Sequence, residues 1–301
     1  MSLSTVIRIS LAKNLYIFMG INVQKIKCLL VTLCCSLSLT TMADPSSVKV
    51  NDSYTPSFGQ PGKDVIWIPT GTELVSLMLK TANVTNKDLV YDLGAGDGKI
   101  AIAAAKEFGA RAVGIEFNPN MAAFAQRNAN QSGVGQLVTI INGDIFVEDF
   151  SQATVVTLYL LPDLNMQLRP TILKMKPGTR IVSHAFTMGD WEADKVIELD
   201  DKAYYWVVPA DAMGEWSLEG LEIKNVTLTL AQQFQKIGGN IKIGNQSQPI
   251  LDSRLEGKQL SFAYIDLNKN YITVKGDISG SEFKGEYKNI FSQGPVSGKR
   301  R

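Results

Sequence analysis

The residues best suited to chemistry in this sequence are a glycine loop and two acids that follow it in order. The loop is Asp92-Leu93-Gly94-Ala95-Gly96-Asp97-Gly98, at the end of the apolar run Leu89 to Leu93. Glycine there removes the Cβ that would keep a ligand off the backbone. A dinucleotide loop wants a third glycine where Lys99 stands. A phosphate-binding P-loop wants glycine where Leu93 stands and Ser or Thr where Ile100 stands. The remaining ligand class is a nucleoside without phosphates. The Asp92 carboxylate suits it: it would repel a pyrophosphate, attract an ammonium and offset a sulfonium charge. Glu116 follows roughly 20 residues after the glycines, where an acid can accept from both ribose hydroxyls. Asp144, after Gly143, can accept from an adenine amino group, with Ile145 and Phe146 packing on the ring. Taken singly, Asn142-Gly143-Asp144 reads as turn chemistry and Glu116 as a solvated carboxylate. The ordered succession carries the assignment.

Placing these groups requires alternating strands and helices. A helix over Thr72–Leu79 has apolar residues three and four apart, with Thr70 or Thr72 as cap. The expected strand Leu89–Leu93 is followed by an Ala-rich helix over Ile100–Phe108, a strand over Arg111–Phe117 and a helix from Asn118-Pro119 to about Gln131. Further strands are expected at Leu137–Ile141, Thr154–Leu160 and Arg180–Phe186, and a helix at Leu164–Met175, interrupted near Pro170. Lys195–Leu199 and Ala203–Val208 complete the set as an antiparallel pair. This alternation predicts an α/β fold, a Rossmann-like sheet with helices on both faces, over residues 65–215. Residues 216–301 change character: short alternating strands, Val226-x-Leu228-x-Leu230 and Leu260-x-Phe262-x-Tyr264 among them, predict a small all-β domain, a barrel or sandwich.

The N-terminus reads as an export signal over residues 1–43. Lys25 and Lys27 precede the apolar run Cys28–Leu39, and Thr41-Met42-Ala43 offers a small-residue cleavage site. That run is short of the ~20 residues a membrane span needs; an uncleaved anchor is the alternative. Met19 offers a second start, giving a signal of ordinary length. The expected location is outside the cytoplasm of a bacterial cell, periplasmic or secreted. Residues 44–64, with Pro45, Pro56 and Pro61, read as a linker or arm. Cleavage removes four Lys or Arg and no acid, leaving 26 against 29 acids, a net charge of −3. That balance gives no overall electrostatic footprint for nucleic acid. All three Cys lie at or before Cys35 and there is one His, so neither a disulfide framework nor a metal site is expected.

Several segments resemble one family. Val65-Ile66-Trp67-Ile68-Pro69-Thr70, Tyr91 to Gly98, Gly114-Ile115-Glu116-Phe117-Asn118-Pro119, Thr157 to Pro162, Leu168-Arg169-Pro170, Pro177 to His184 and Met188-Gly189-Asp190-Trp191 resemble small bacterial class I S-adenosylmethionine-dependent methyltransferases. These are similar to the lysine methyltransferases of mitochondrial inner-membrane proteins. The resemblance covers about half the chain and is specific to fold and cofactor more than to substrate. It implies a seven-strand sheet with one antiparallel strand. It also implies cofactor contacts from Asp92, Gly94, Ala95 and Gly96, from Glu116, Phe117 and Asn118, and from Gly143, Asp144 and Ile145, with Ile68-Pro69-Thr70 as a lid over the methionine end. Many amino-group methyltransferases carry a polar Asp/Asn-Pro-Pro-Tyr-like motif after the fourth strand. Here Tyr159-Leu160-Leu161-Pro162 stands in its place, which disfavours a nucleic-acid base or a glutamine and remains compatible with a lysine arriving neutral in a dry pocket.

Methyl transfer from a sulfonium needs alignment and desolvation more than a strong base. Tyr159 and His184, ending the fourth and fifth expected strands, point by topology to the same crevice; His184 can take a proton near neutral pH, and Tyr159 reads as pocket wall. Trp67 and Trp191 are candidates for an aromatic wall around a cation, or for core. The leading reading is a methyltransferase acting on a protein lysine. The alternative, motivated by the export signal, is a non-catalytic envelope binding protein on a methyltransferase scaffold. A nicotinamide oxidoreductase fails on Lys99.

Overall fold

A computed structural model describes residues 53–301; the expected signal and most of the arm's first half lie outside them. Seven strands form the first sheet: β1 (Leu89–Leu93), β2 (Arg111–Glu116), β3 (Val138–Asn142), β4 (Val155–Leu158), β5 (Arg180–His184), β6 (Lys195–Glu198) and β7 (Lys202–Val207). Their order is β3-β2-β1-β4-β5-β7-β6. Strands β1 to β5 are parallel to their neighbours, and β7 runs antiparallel to both β5 and β6. The chain leaves β1 toward β2 and β3, then returns to β4 on β1's other side. The crevice at the carboxyl ends of β1 and β4 is therefore the topological switch point, where ligands bind in open α/β sheets.

Local sequence explains these elements. All of β4 is buried, as a strand covered on both faces must be. Helix α1 (Thr72–Thr81) precedes β1. Helix α2 (Lys99–Phe108) starts at Gly98, whose φ of 80° is left-handed, and buries Ile100, Ala101, Ala104 and Ala105. Helix α3 (Pro119–Gln131) is capped by Asn118, whose side chain accepts from the Asn120 and Met121 amides. Helix α4 (Pro162–Ile172) is not interrupted at Pro170: the proline lies inside it, two residues from its end, so the missing N–H removes only a bond of the last turn. β5 stops at His184, short of Phe186, because Phe186 N–H closes back on the His184 carbonyl at 2.8 Å with Ala185 at φ 64°. Likewise β4 ends at Leu158, which leaves Tyr159 and Leu160 in the turn above the crevice.

The second sheet has nine antiparallel strands, β8 (Gly214–Glu219) to β16 (Gln293–Arg300), with β16 returning to pair with β8. Its first strand begins at Gly214, before the boundary expected at residue 216. Its edges, β11 (Gln246–Pro249) and β12 (Leu251–Glu256), adjoin in the chain. Ile250 N–H donates to Gly239 O at 3.0 Å and Ser253 Oγ to Ile237 O at 2.8 Å, so the meander curls into a barrel. Trp216, Phe262, Phe283 and Val274 share its interior. The barrel abuts the first sheet. Phe234 stacks on Trp191 at 5.9 Å, Gln235 bonds the Trp191 indole, the Glu192 carbonyl and Asp194, and Ala210 N–H donates to Gly257 O. Among the described residues no helix is long and apolar enough to cross a membrane.

Candidate active site

The crevice at the switch point is a cavity of about 660 Å³. Its floor is the β1 loop. Asp92 ends β1 with 2% of its surface exposed and accepts a 2.7 Å hydrogen bond from Thr157 Oγ1, its register partner on β4. Burial pushes the Asp92 carboxyl up to about 7, against the Thr157 hydrogen bond. Glu116 is also raised by burial. Its two oxygens accept from Gly96 N–H at 3.0 Å and Asn118 N–H at 2.9 Å, so it ties the glycine loop to the start of α3. A carboxylate has about four lone-pair sites, and two remain for a ligand's hydroxyls. Asp144 is held below the ordinary carboxylate range by Lys63, whose ammonium donates to Oδ2 at 2.8 Å, and by Phe146 N–H at Oδ1.

The structure brings most of the expected site residues to this cavity. Asp92, Gly94, Ala95, Gly96, Glu116, Phe117 and Asn118 line it, as do Ile68, Pro69 and Thr70 from the arm, Asp144 and Ile145 after β3, and Tyr159 after β4. Gly143 and His184 are not among the lining residues. A Cβ on Gly143 would sit 2.5 Å from Glu148 Oε1, so glycine serves a tight turn there. His184, 2% exposed, lies behind the wall: Thr70 Oγ1 is 3.0 Å from its Nδ1 and the Tyr159 ring covers it at 3.9 Å. Trp191 is fully buried in the core and forms no cation wall. Trp67 does reach the cavity, over Gly96, whose added Cβ would fall 2.7 Å from the indole nitrogen.

Other residues of the site carry weaker signals in the sequence. Lys63 lies in a segment whose prolines and glycines signal only an arm, yet it binds Asp144 and sits over Phe117 and Phe146. Lys99, which in the sequence stands out only as a missing glycine, donates to the Thr70 carbonyl at 2.9 Å and pins the lid. Asn165, fully buried, holds the Phe186 and Thr187 carbonyls; a buried Asn in an apolar helix stripe is the signal that could have marked it. The donor set fits a nucleoside with a cationic arm: bare glycine backbone, a buried anion at one end, free carboxylate lone pairs midway and a third acid at the other end. Among the described residues no group of His, Cys, Asp and Glu could hold a metal ion.

Residues 92–195 match the ANTKMT methyltransferase domain family. The chain is similar to the protein-lysine N-methyltransferase of Saccharolobus islandicus (strain REY15A), 44% identical over 139 residues, which are 46% of this chain and 86% of that protein. It is also similar to an ATP synthase lysine N-methyltransferase of Xenopus laevis, 30% identical over 131 residues, 43% of this chain and 57% of that relative's length. Among solved structures it resembles an RNA methyltransferase from Salinibacter ruber in complex with S-adenosyl-L-homocysteine, with 47% identity and a TM-score of 0.47, over 48% of this chain and 95% of that one.

Proposed function

Since the chain belongs to the class I S-adenosylmethionine-dependent methyltransferase family, we propose that it methylates the side-chain amine of a lysine in a protein. S-adenosylmethionine is the cofactor and supplies an electrophilic methyl group. The observation that carries the acceptor assignment is the wall where the methyl group would be presented. Tyr159, Leu160, Leu161, Leu164 and Phe186 line that side of the cavity, with Thr70 as a hydroxyl among them. A flexible, unbranched amine can enter such a wall once neutral, whereas a base edge would lose its hydrogen bonds there. The naming of two relatives as lysine methyltransferases supports the same reading.

In this reading Asp92 faces the amino-acid end of the cofactor, Glu116 takes the ribose hydroxyls, and Asp144 with Ile145 and Phe117 takes the adenine. Ile68-Pro69-Thr70 closes over the reacting end. Burial of Asp92 makes it a strong partner for a cation, because the ligand's ammonium offsets the anion's desolvation. We place the work outside the cytoplasm on the strength of the basic and apolar run in residues 25–43; N-terminal sequencing of the mature protein should then begin at Asp44, and a chain retaining Lys25 would overturn it. For the activity, radiolabelled methyl transfer from S-adenosylmethionine should reach poly-L-lysine and not poly-L-arginine or RNA. Label on RNA alone would defeat the lysine assignment.

A further inference from the structure

His184 is the only histidine in the chain, and it is set up with unusual care for a residue that does not line the cavity. Its Nδ1 is 3.0 Å from the hydroxyl of Thr70, which does line it. Its Nε2 is buried without a hydrogen-bond partner, 3.6 Å from Asp201 Oδ2, just beyond hydrogen-bond length. Asp201 lies in the turn between β6 and β7 with a side chain 74% exposed, so a small rotation closes that gap. The residue after His184, Ala185, is held at φ 64° in a tight turn closed by Phe186 N–H to the His184 carbonyl. A left-handed alanine costs about 1 kcal/mol, and strain of this kind clusters where geometry serves function.

We propose that Thr70, His184 and Asp201 form a proton relay that carries the acceptor amine's proton from the closed cleft to solvent. The relay rests on the amine-acceptor reading given above. A lysine side chain is an ammonium in water and must lose a proton before its lone pair can attack. Among the residues that wall the acceptor side, Thr70 presents a hydroxyl with a buried base directly behind it. Asp201 can only accept, so its position selects the tautomer with the proton on Nε2 and leaves Nδ1 to accept from Thr70. The substrate ammonium gives its proton to Thr70 Oγ1, the Thr70 proton passes to Nδ1, and the Nε2 proton passes to the Asp201 carboxylate and on to water. Once product has left and water enters the cleft, exchange at both ends restores the starting tautomer.

The charged groups around the relay are compatible with it. Burial holds the His184 imidazole below its ordinary range while Asp201 pulls the other way, so the ring is a neutral carrier and not a fixed cation. Tyr159, stacked on the ring from the end of β4, is held protonated by burial and by Asp201. On the arm side, Lys99 bonds the Thr70 carbonyl and leaves its hydroxyl to His184. Lys202, on β7, pairs with Glu198.

One histidine makes the relay directly observable. In nitrogen NMR of the histidine-labelled full chain, the neutral ring should carry its proton on Nε2. Asp201→Asn should lower the ring's pKa further, and Thr70→Val should shift the Nδ1 resonance. A ring protonated on Nδ1 would overturn the relay without touching the amine-acceptor reading. In transfer to poly-L-lysine near neutral pH, Asp201→Asn should lower kcat roughly tenfold and His184→Gln about a hundredfold, with the KM for S-adenosylmethionine unchanged. Both deficits should close as pH approaches the lysine pKa of ~10.4, where the amine arrives already neutral; a merely structural role would leave them open. Deficits that persist at high pH, or variants matching the parent throughout, would overturn the relay. No transfer by the parent at any pH would overturn the amine-acceptor reading, and the relay with it.

Discussion

The two halves of this protein treat buried polarity in opposite ways. Nine polar or charged side chains are buried among the described residues, and eight of them, including Asp92, Asn165 and His184, belong to the first sheet and its arm. The barrel has one, Asp266, and it is satisfied within its own turn by the Asn268 and Asn270 amides and the Asn270 side chain. The barrel interior is otherwise apolar, closed by Trp216, Phe262 and Phe283. A barrel built this way is optimised for packing, whereas the sheet half carries a carboxylate and an imidazole that burial destabilises. Groups retained against such a cost mark where chemistry is done.

The contrast predicts that the two halves respond differently to substitution. Phe283→Ala should lower the unfolding free energy by about 3–5 kcal/mol, measured in denaturant, while the protein that remains folded binds S-adenosylmethionine within threefold of the parent. A collapse of cofactor affinity would show that the barrel shapes the cleft and would break the comparison. Asp92→Asn should do the reverse. The Asp92 pKa is raised in the folded state from 3.8 to about 7, so the stability of its protonated form is complete below pH ~4 and is lost as pH rises through ~7. By linkage that loss is on the order of 4 kcal/mol. The Asn variant keeps the Thr157 hydrogen bond and should lack this decline, so it should equal the parent near pH 4 and exceed it in stability above pH 7. Its affinity for S-adenosylmethionine at neutral pH should fall by roughly 10–100-fold, the worth of a charge-assisted contact. A variant less stable than the parent above pH 7 would mean that Asp92 is not a strained anion.

Gly96→Ala comes next in size. At φ 55° an alanine costs about 1 kcal/mol, a small loss in thermal unfolding. The added Cβ would also push against the Trp67 indole and stand on the ligand's face of the loop, so calorimetric affinity should fall much further than stability does.

The legible parts of the fold are those written in short range. Asn118-Pro119 predicts the start of α3 because cap and first-turn proline are local devices, and the β1 loop reads as a ligand floor because its glycines and Asp92 are consecutive. The seven-strand sheet follows from alternation, and the barrel from the period-two stripes that bury Leu228, Leu230, Phe262 and Tyr264. What sequence does not encode are pairings across long separations. Thr70 and His184 lie 114 residues apart and Lys63 and Asp144 lie 81 apart, and no periodicity marks such contacts. The end of its strand points His184 toward the crevice. The turn at Ala185 and the Tyr159 ring instead set it one layer back, a distinction that depends on a backbone angle and a rotamer.

The smallest expected effect lies at the arm. Lys63 bonds the acid proposed for the adenine amino group, and its ammonium stands 5.0 Å from the Phe117 ring and 5.9 Å from the Phe146 ring. That position admits two roles, a latch that holds the arm over the cleft or a plug that occupies the adenine's acceptor. The partners' exposure decides how much either role can weigh: the side chains are 37% and 25% exposed, and ion pairs in contact with water contribute little and weaken with salt. Lys63→Ala should therefore change S-adenosylmethionine affinity by less than about fivefold, with the difference shrinking as ionic strength rises. The sign of the residual change separates the roles, since loss of a plug tightens binding and loss of a latch speeds dissociation. The Phe146 amide remains on Oδ1 in either case, so Asp144 stays oriented, and the geometry favours slightly tighter binding. A salt-independent loss beyond about tenfold would instead make Lys63 part of the cofactor site, and would move the arm from a cover to a wall of the catalytic half.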